Sequence, residues 1–517
     1  MVEGNKGRFV CNSQNLILQT VQGSQDFSYS LAFTIYQIKY WLLQLKNSSY
    51  FQPVENRLSF CFLPSTFYPY PFTYSKLTTY NLRLKTSLLI FAAHFLLMQV
   101  FKFGGASVNS VERIVNLASI MKQYQDQPLL IVISAMGKTT NALEKVAEAF
   151  FAGKKEEALS LFEQVKQQHL TTAKYLLVTQ ALACENQLRD FFTEVEWLLH
   201  DKPVRAFDYY YDQIVCAGEL LSTAIVSHYL NETGISNQWM DVRDIIRTDN
   251  NFRDANIDWE YTTAQVTRYV VPVLEQHRLV ITQGYIGATD ENESTTLGRE
   301  GSDYTAAVFA NLLNAENQTI WKDVESVMNA DPKQFPDARP IHELNYQEVI
   351  EMAYYGAQVI HPKTIKPLQN KSIPLYVKCF LDPSLPGTVI HNNAVKNLPP
   401  IIVLKEKQVM LEMSSRDFSF IGDRYVGTIY QLLEEMKIRP NLTQNGAISF
   451  VCVLDDRPDR IEKLALAVSA FAEVQVTRDL SLLTIRHYQL ELLESLTAGK
   501  TRLLRQQTPD TVQVLMA

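Results

Sequence analysis

Lys102 stands two residues ahead of the glycine pair Gly104-Gly105. Glycine has no Cβ, so backbone there can come close to a ligand, and the lysine adds a compact positive charge. A helix starting just behind them would turn free N–H groups toward an anion. The combination suits a phosphate, although a Gly-Gly turn is also ordinary loop chemistry. Farther along, Arg299 lies between Gly298 and Gly301. A loop arginine with open backbone around it suits two-point capture of a carboxylate or phosphate. Ser302 and Asp303 come next, and either can cap the helix that follows. Glu219 sets a carboxylate among Ala217, Leu220, Leu221, Ala224 and Ile225, where an exposed helix position explains it as well as a ligand contact does. Gly137-Lys138-Thr139 invites a P-loop reading, but that motif needs glycine where Val132 stands, so it is rejected.

Strands and helices must position these residues. Residues 98–101 complete a short β-branched and aromatic run. Residues 111–124 carry Ile114, Val115, Leu117, Ala118 and Met121 at helical spacing. The pattern predicts strand, glycine loop, helix around Lys102. Residues 128–134 form a continuous apolar run of the kind buried on both faces of a parallel sheet. A small polar loop follows, then a helix-rich stretch over 142–200 and a helix over 212–229. Strands are expected over 279–287, 319–324 and 373–379, and helices over 304–313 and 345–355. This repeated order is the α/β signature, with ligand loops at the strand ends. Pro383, Pro386, Gly387, Pro399 and Pro400 mark 381–400 as a linker. Beyond it, short strands and helices in a β-α-β-β-α-β rhythm predict one or two small ferredoxin-like units. Separate strands are expected there over 473–478 and 482–487.

Charged residues make up 20% of the chain and hydrophobic ones 46%, ordinary for globular domains. The net charge of −7 argues against a nucleic-acid surface. That charge is uneven, because residues 1–97 hold eight Lys or Arg against three acids. This first segment shows no sustained period, and its apolar stretch at 88–97 is shorter than the roughly 20 residues a membrane span needs. It is expected to stand outside the fold, with Met98 placed where a chain would naturally begin. The six cysteines show no C-x-x-C pair and no zinc-ligand spacing. They read as free thiols in a reducing cytoplasm, and no metal site built from side chains is expected.

Set together, these stretches resemble the aspartate kinases of the amino-acid kinase family. Lys102-Phe103-Gly104-Gly105-Ala106-Ser107-Val108 is similar to the family's opening motif. Residues 134–141, Gly218-Glu219, 282–287, 297–303, 322–324, 330–332 and 356–362 follow in the family's order. The resemblance implies a three-layer α/β/α sandwich with a mainly parallel sheet as a catalytic domain over 98–380. It implies an ACT-like regulatory region over 401–517, of two α+β units, the last ending before its final helix and strand. The implied reaction is phosphorylation of the L-aspartate side-chain carboxylate by ATP, with Mg2+ on the ATP phosphates. The product is 4-phospho-L-aspartate, the first step towards lysine, threonine and methionine. Carried over by motif, Lys102 would lie against the transferring phosphoryl group, held in place by Asp303. Gly104 and Gly105 would offer N–H groups to the phosphates. Ser134 and Asp323 would fall on the nucleotide side, with Asp323 at ribose or base. Arg299 would clamp the α-carboxylate of aspartate, and Glu219 would pair with its α-amino group. Thr140 would orient the carboxylate that is phosphorylated, and Ser302 would line the aspartate site. A homodimer joined through the ACT-like units, an amino-acid feedback inhibitor, a monofunctional enzyme and a cytoplasmic location are further expectations. A different acceptor, or a sensor without catalysis, are the competing readings.

The sequence departs from the family pattern at several positions. Ala106 stands where threonine or serine is usual, and Glu300 and Ser326 stand where glycine is usual. Gln358 replaces a lysine that in many members reaches the nucleotide phosphates. Ser415-Arg416-Asp417-Phe418 partly follows the lysine-sensitive pattern, but Gly446-Ala447 stands where that pattern has Ser-Glu. The regulating amino acid is therefore left open.

Overall fold

The computed structural model describes residues 98–517, apart from Gln358, Phe418, Ser419, Ile421 and Gly422, and of Asp423 and Arg424 it describes the backbone alone. The extension over 1–97, the Gln358 substitution and the Phe418 end of the lysine-sensitive motif lie outside the described residues.

β1 (Gln99–Phe103) and β2 (Leu129–Ile133) run parallel, with α1 (Val111–Met121) between them in the chain. The Ser110 hydroxyl caps α1 by accepting from Arg113 N, and Ile114, Leu117, Ala118 and Met121 bury one face. All five side chains of β2 are buried, as its unbroken apolar run required. Then come α2 (Thr139–Phe151), α3 (Lys155–Leu176), α4 (Ala181–His200), α5 (Phe207–Val215) and α6 (Ala217–Glu232). The single helix expected over 212–229 is thus two, meeting at Cys216. β3 (Gln238–Trp239) and β4 (Leu279–Gln283) flank α7 (Trp259–Gln265) and α8 (Val271–Gln276). A small antiparallel pair, β5 (Ile286–Ala288) with β6 (Ser294–Thr296), leads into α9 (Gly301–Leu312) and β7 (Asn317–Lys322). A second such pair joins β8 (Val327–Met328) to β9 (Pro340–Ile341). β10 (Glu343–Asn345), α10 (Tyr346–Tyr355), α11 (Pro362–Lys371), β11 (Leu375–Cys379) and β12 (Thr388–His391) complete the unit.

Eight strands form one sheet in the order β10-β12-β11-β7-β1-β2-β4-β3. Every neighbouring pair is parallel except β11 with β12. α9 packs against α11, while α2 to α6 pack among themselves, so helices cover the sheet in two separate layers. This is the three-layer α/β/α sandwich with a mainly parallel sheet that was expected. β12 lies inside 381–400, so part of the stretch read as linker is a strand of this sheet. Thr388 accounts for it: its hydroxyl is buried, donates to Ile341 O at 2.6 Å and accepts from Val327 N at 2.8 Å.

The remaining chain builds a six-stranded antiparallel sheet, β14-β15-β13-β16-β18-β17. Its strands are β13 (Ile401–Ser414), β14 (Leu442–Asn445), β15 (Ser449–Asp455), β16 (Glu473–Arg486), β17 (Arg502–Gln507) and β18 (Thr511–Met516). Its helices are α12 (Asp423–Glu435), α13 (Pro458–Val468) and α14 (Leu490–Leu496). β13 and β16 are both 14 residues long and pair along their length, with irregularities between Lys405 and Met410. There Lys407 and Asp479 take left-handed backbone angles. The two strands expected over 473–478 and 482–487 are therefore one strand, bent at its middle.

Each half of these long strands serves a different unit. The inner unit uses the second half of β13 with α12, β14, β15, α13 and the first half of β16, in the β-α-β-β-α-β order. The outer unit uses the second half of β16 with α14, β17 and β18. Its strand beside β16 is the first half of β13, through pairs such as Ile402 with Ile485 and Lys405 with Leu482. The final strand expected to be missing is thus supplied from the front of the region. Separate apolar cores mark the units: Leu411, Ile429, Phe450 and Leu464 in the inner one, Ile402, Ile485, Leu493 and Val514 in the outer one. Ala330, Phe335 and Ala338, from the unit built on the eight-stranded sheet, join the outer core.

Candidate active site

Lys102 sits at the carboxyl end of β1, between β2 and β7 near the middle of the sheet. Its Nζ lies 2.6 Å from Asp303 Oδ1, in the first turn of α9, and both side chains are largely buried. Asp303 thereby fixes the ammonium at the strand end.

Gly104 follows, and a Cβ there would lie 3.4 Å from Lys102 Nζ. At Gly105 a Cβ would fall 2.5 Å from Ala135 O, so only glycine lets this loop close on residues 134–137. Gly137 N donates to Gly105 O at 3.0 Å, and Ser134 N to Phe103 O at 3.1 Å. The Ser134 carbonyl in turn accepts from Ser222 Oγ of α6 at 2.7 Å. The loops after β1 and β2 are thus locked together beside Lys102.

Glu219 is buried at 2% exposure, which removes the reading of an exposed helix position. Its Oε1 accepts from Ala135 N at 3.3 Å, while Oε2 has no protein partner. Burial pushes its carboxyl up to about 8, and the Ala135 N–H offsets only part of that. A buried carboxylate oxygen without a donor is costly unless a ligand supplies one. Gly218 beside it has room for no side chain without tightening against Ala135 Cβ.

Ser302 and Asp303 are both buried in the first turn of α9, but neither caps it. The helix starts earlier than expected, at Gly301, and the capping position is Glu300. Glu300 adopts a left-handed conformation, φ 55°, which explains why glycine suits this position. Its Oε2 accepts from His361 N at 2.8 Å. Lys322 Nζ bonds Val359 O at 2.6 Å. Together they hold the loop between α10 and α11 against the site. Gly298 is also left-handed, φ 77°, with Asp254 Oδ1 occupying the space a side chain would need. At Gly284, a Cβ would collide with Ser302. The end of β4 therefore packs closely on the first turn of α9, where Tyr285 N also donates to Thr305 Oγ1 at 3.1 Å.

The remaining expected residues lie on or beside three further elements. Thr140 is half-buried in the first turn of α2, and Arg299 is exposed on the loop between β6 and α9. Asp323 is exposed just beyond β7, which neighbours β1.

Asp212 was missed by the sequence reading. It is fully buried, and its oxygens accept from Arg253 N at 2.9 Å, Thr296 N at 2.8 Å and Thr296 Oγ1 at 2.8 Å. Burial raises its carboxyl to about 6 in spite of those bonds. It anchors β6, and so the Gly298-Arg299 loop. The signal available was an acid closing the run Tyr209-Tyr210-Tyr211.

A lysine at the end of a central parallel strand, two glycine-closed loops and a buried open carboxylate define the catalytic unit of a small-molecule kinase. The model of the amino acid kinase family matches residues 98–379. Lysine-sensitive aspartokinase 3 of Escherichia coli is 30% identical over 404 residues, covering 75% of this chain and 86% of that protein. The chloroplastic aspartokinase 2 of Arabidopsis thaliana is 34% identical over 367 residues, 69% of this chain. The chain spans 66% of that plant protein's length. Among solved structures, E. coli aspartokinase III in complex with aspartate and ADP (R-state) superposes with a TM-score of 0.69 at 27% identity. The match covers 81% of this chain and 96% of that one. The same enzyme in complex with lysine and aspartate (T-state) gives 0.68 at 26% identity, covering 81% and 95%. The chain belongs to the amino acid kinase family and, within it, to the aspartokinases.

Proposed function

We propose that this chain transfers the γ-phosphoryl group of ATP to the side-chain carboxylate of L-aspartate, giving 4-phospho-L-aspartate, the first step towards lysine, threonine and methionine. The observation that carries the reading is the Lys102–Asp303 ion pair together with the unpartnered buried oxygen of Glu219. The lysine held at the strand end can meet a phosphoryl group, and the buried carboxyl of Glu219, once ionised, can meet an ammonium. An amino acid with an acidic side chain, meeting ATP, supplies both.

Phosphoryl transfer asks for two anions held in line and their charge neutralised. Lys102 stabilises the phosphoryl group in flight, and Asp303 keeps its ammonium in place. N–H groups of Gly104 and Gly105 face the phosphates, with Ser134 and Asp323 on the nucleotide side. Arg299 closes on the substrate α-carboxylate, Glu219 on its ammonium, and Thr140 and Ser302 orient the reacting carboxylate. No general base is needed, since that carboxylate is already ionised near neutral pH. Among the described residues no three His, Cys, Asp or Glu side chains group to hold an ion. Mg2+ carried on the nucleotide phosphates would supply charge neutralisation.

Residues 98–380, extended to β12, form the catalytic unit in this reading, and 401–517 form the regulatory one. Regulation by an amino acid and dimerisation through the regulatory sheet belong to the same proposal. So does a cytoplasmic location, supported by the buried free thiols of Cys184, Cys216, Cys379 and Cys452. No helix of the described residues is long and apolar enough to cross a membrane. The test is ADP release from Mg-ATP by the full chain, with and without L-aspartate. Aspartate-dependent release is expected, and release that ignores aspartate, or its absence, would overturn the reading.

A further inference from the structure

The inner regulatory unit holds an open cleft of about 210 Å3 lined by Lys437, Arg439, Arg457, Arg460, Asp455, Ile438 and Ile461. Four of these side chains are cations, in a chain whose net charge is −7. None of the four makes an ion pair among the described residues. Arg460 is spent on main chain, donating to Lys437 O at 3.1 Å and Met436 O at 3.4 Å, so its guanidinium is held rather than free to swing. The single carboxylate of the lining, Asp455, is engaged elsewhere. Its Oδ1 accepts from Gln408 Nε2 at 3.0 Å and Asn441 Nδ2 at 2.8 Å. Four cations around one opening, against a single carboxylate that bonds Gln408 and Asn441 and lies within electrostatic reach of Arg457, leave an excess of positive charge for an anion from solution. Guanidinium groups, with their planar donor forks, suit a phosphate group in particular.

The cleft is also wired to the catalytic unit. Asn441 Oδ1 accepts from Lys405 Nζ at 2.7 Å. Lys405 lies against Gly356 at the end of α10, where a Cβ would fall 2.2 Å from Lys405 Cε. Gly356 is left-handed, φ 110°, and opens the loop that Glu300 and Lys322 hold against the active site. Arg439 is within electrostatic reach of His361 in that same loop. Burial is the main cause that disfavours protonation of His361, and Arg299 and Arg439 add to it.

We propose that this cleft is a binding site for a small phosphate-bearing anion, and that the row Asp455, Asn441, Lys405 connects its occupancy to the catalytic loop at Gly356. Binding draws the arginines inward, shifts the partners of Asp455, and so moves the lysine that props Gly356.

Inorganic pyrophosphate titrated calorimetrically into the full chain, at constant ionic strength, tests the site without relying on catalysis. Saturable binding is expected, at least tenfold weaker in an Arg439→Ala/Arg457→Ala double variant and unchanged in Lys102→Ala. Loss in Lys102→Ala with retention in the double variant would put the anion at the proposed nucleotide site and overturn the inference. So would the absence of saturable heat. Both arginines are exposed; should the double variant still melt early, Arg457→Gln alone must show weakened binding. Amide hydrogen exchange over residues 356–362 tests the connection. Pyrophosphate should change it in the wild type but not in Lys405→Met, and identical exchange with and without pyrophosphate in the wild type would remove the coupling.

Discussion

Arg486 of β16 forks onto Glu348 of α10, with Nε 2.9 Å from Oε2 and Nη2 2.8 Å from Oε1. Thr511 Oγ1 accepts a further bond from Nη1 at 2.9 Å, and Glu351 lies 3.3 Å away. Both members of the pair are nearly buried. One belongs to the catalytic unit and the other to the regulatory sheet, so the pair rivets the two.

Arg486→Met should destabilise the protein by up to about 3–5 kcal/mol, because the buried carboxylate loses its guanidinium and keeps only His487 Nε2, 3.2 Å from Oε2, as a cationic neighbour. Adding Glu348→Gln should restore most of the loss, and urea denaturation of both variants checks this. Burial works against the Glu348 charge, and Arg486 outweighs it, so the carboxyl titrates below its ordinary value of 4.5. A lowered folded-state value means stability that is present above that pH and lost as pH falls below it. The acid limb of the wild-type stability curve should flatten in the double variant.

Lys102 and Arg299 should fail in different ways. A group that acts in the transition state affects turnover, whereas one that holds the substrate affects KM. Lys102→Ala should lower kcat by about 10²–10³-fold, the usual cost of one lost electrostatic contact to the transition state. Arg299→Ala should mainly raise KM for aspartate, by about 10–150-fold if a charged hydrogen bond of roughly 1.5–3 kcal/mol is lost. Steady-state kinetics showing the reverse pattern would exchange their roles.

With Glu219 in the proposed role, aspartate binding should depend on pH. In the free protein its carboxyl titrates near 8, raised by burial, so at neutral pH it is protonated. Pairing with a substrate ammonium requires the ionised form, and binding should release a proton. KM for aspartate should rise as pH falls below about 8, approaching tenfold per unit. Calorimetry in buffers of different ionisation enthalpy measures the proton directly, and Glu219→Gln should abolish both effects. Without ligand the sign is opposite for folding: the raised value makes stability decline as pH climbs from 4.5 towards 8.

Glu300→Gly removes left-handed strain and a hydrogen bond together. Relief of strain and loss of the bond to His361 N are each worth roughly 1 kcal/mol. Thermal stability should therefore change little. Exchange of the His361 amide should accelerate, and an unaltered rate would mean that Glu300 does not pin the loop.

Much of the site was legible because its chemistry is local. Lys102, Gly104 and Gly105 are contiguous, and the apolar run ending at Ile133 could only be a strand covered on both sides. The burial of Glu219 was not legible: α6 buries nearly every residue from Ala217 to Ser227, so no polar face revealed which way the carboxylate points. The α9 cap was misplaced because Ser302 and Asp303 are better capping types than Glu300, and the contact with His361 decided otherwise. β12 hid among prolines because Pro383 and Pro386 crowd the connection from β11, the strand just before it and its antiparallel partner. The Arg486–Glu348 rivet joins residues far apart in the chain, and long-range pairs leave no periodic trace. The bend in β16 looked like a break between strands because Asp479 takes a left-handed angle there.

The nesting of the inner unit within the outer one has a consequence for protein engineering. The chain leaves the outer unit after Lys405 and returns at Leu482, and these two residues face each other across an antiparallel ladder. A short turn could span that gap as an ordinary hairpin, since two residues suffice between antiparallel strands. The whole inner unit can thus be treated as a cassette. It could be cut out, or exchanged for another module of similar end-to-end spacing, with the flanking ladder left in register.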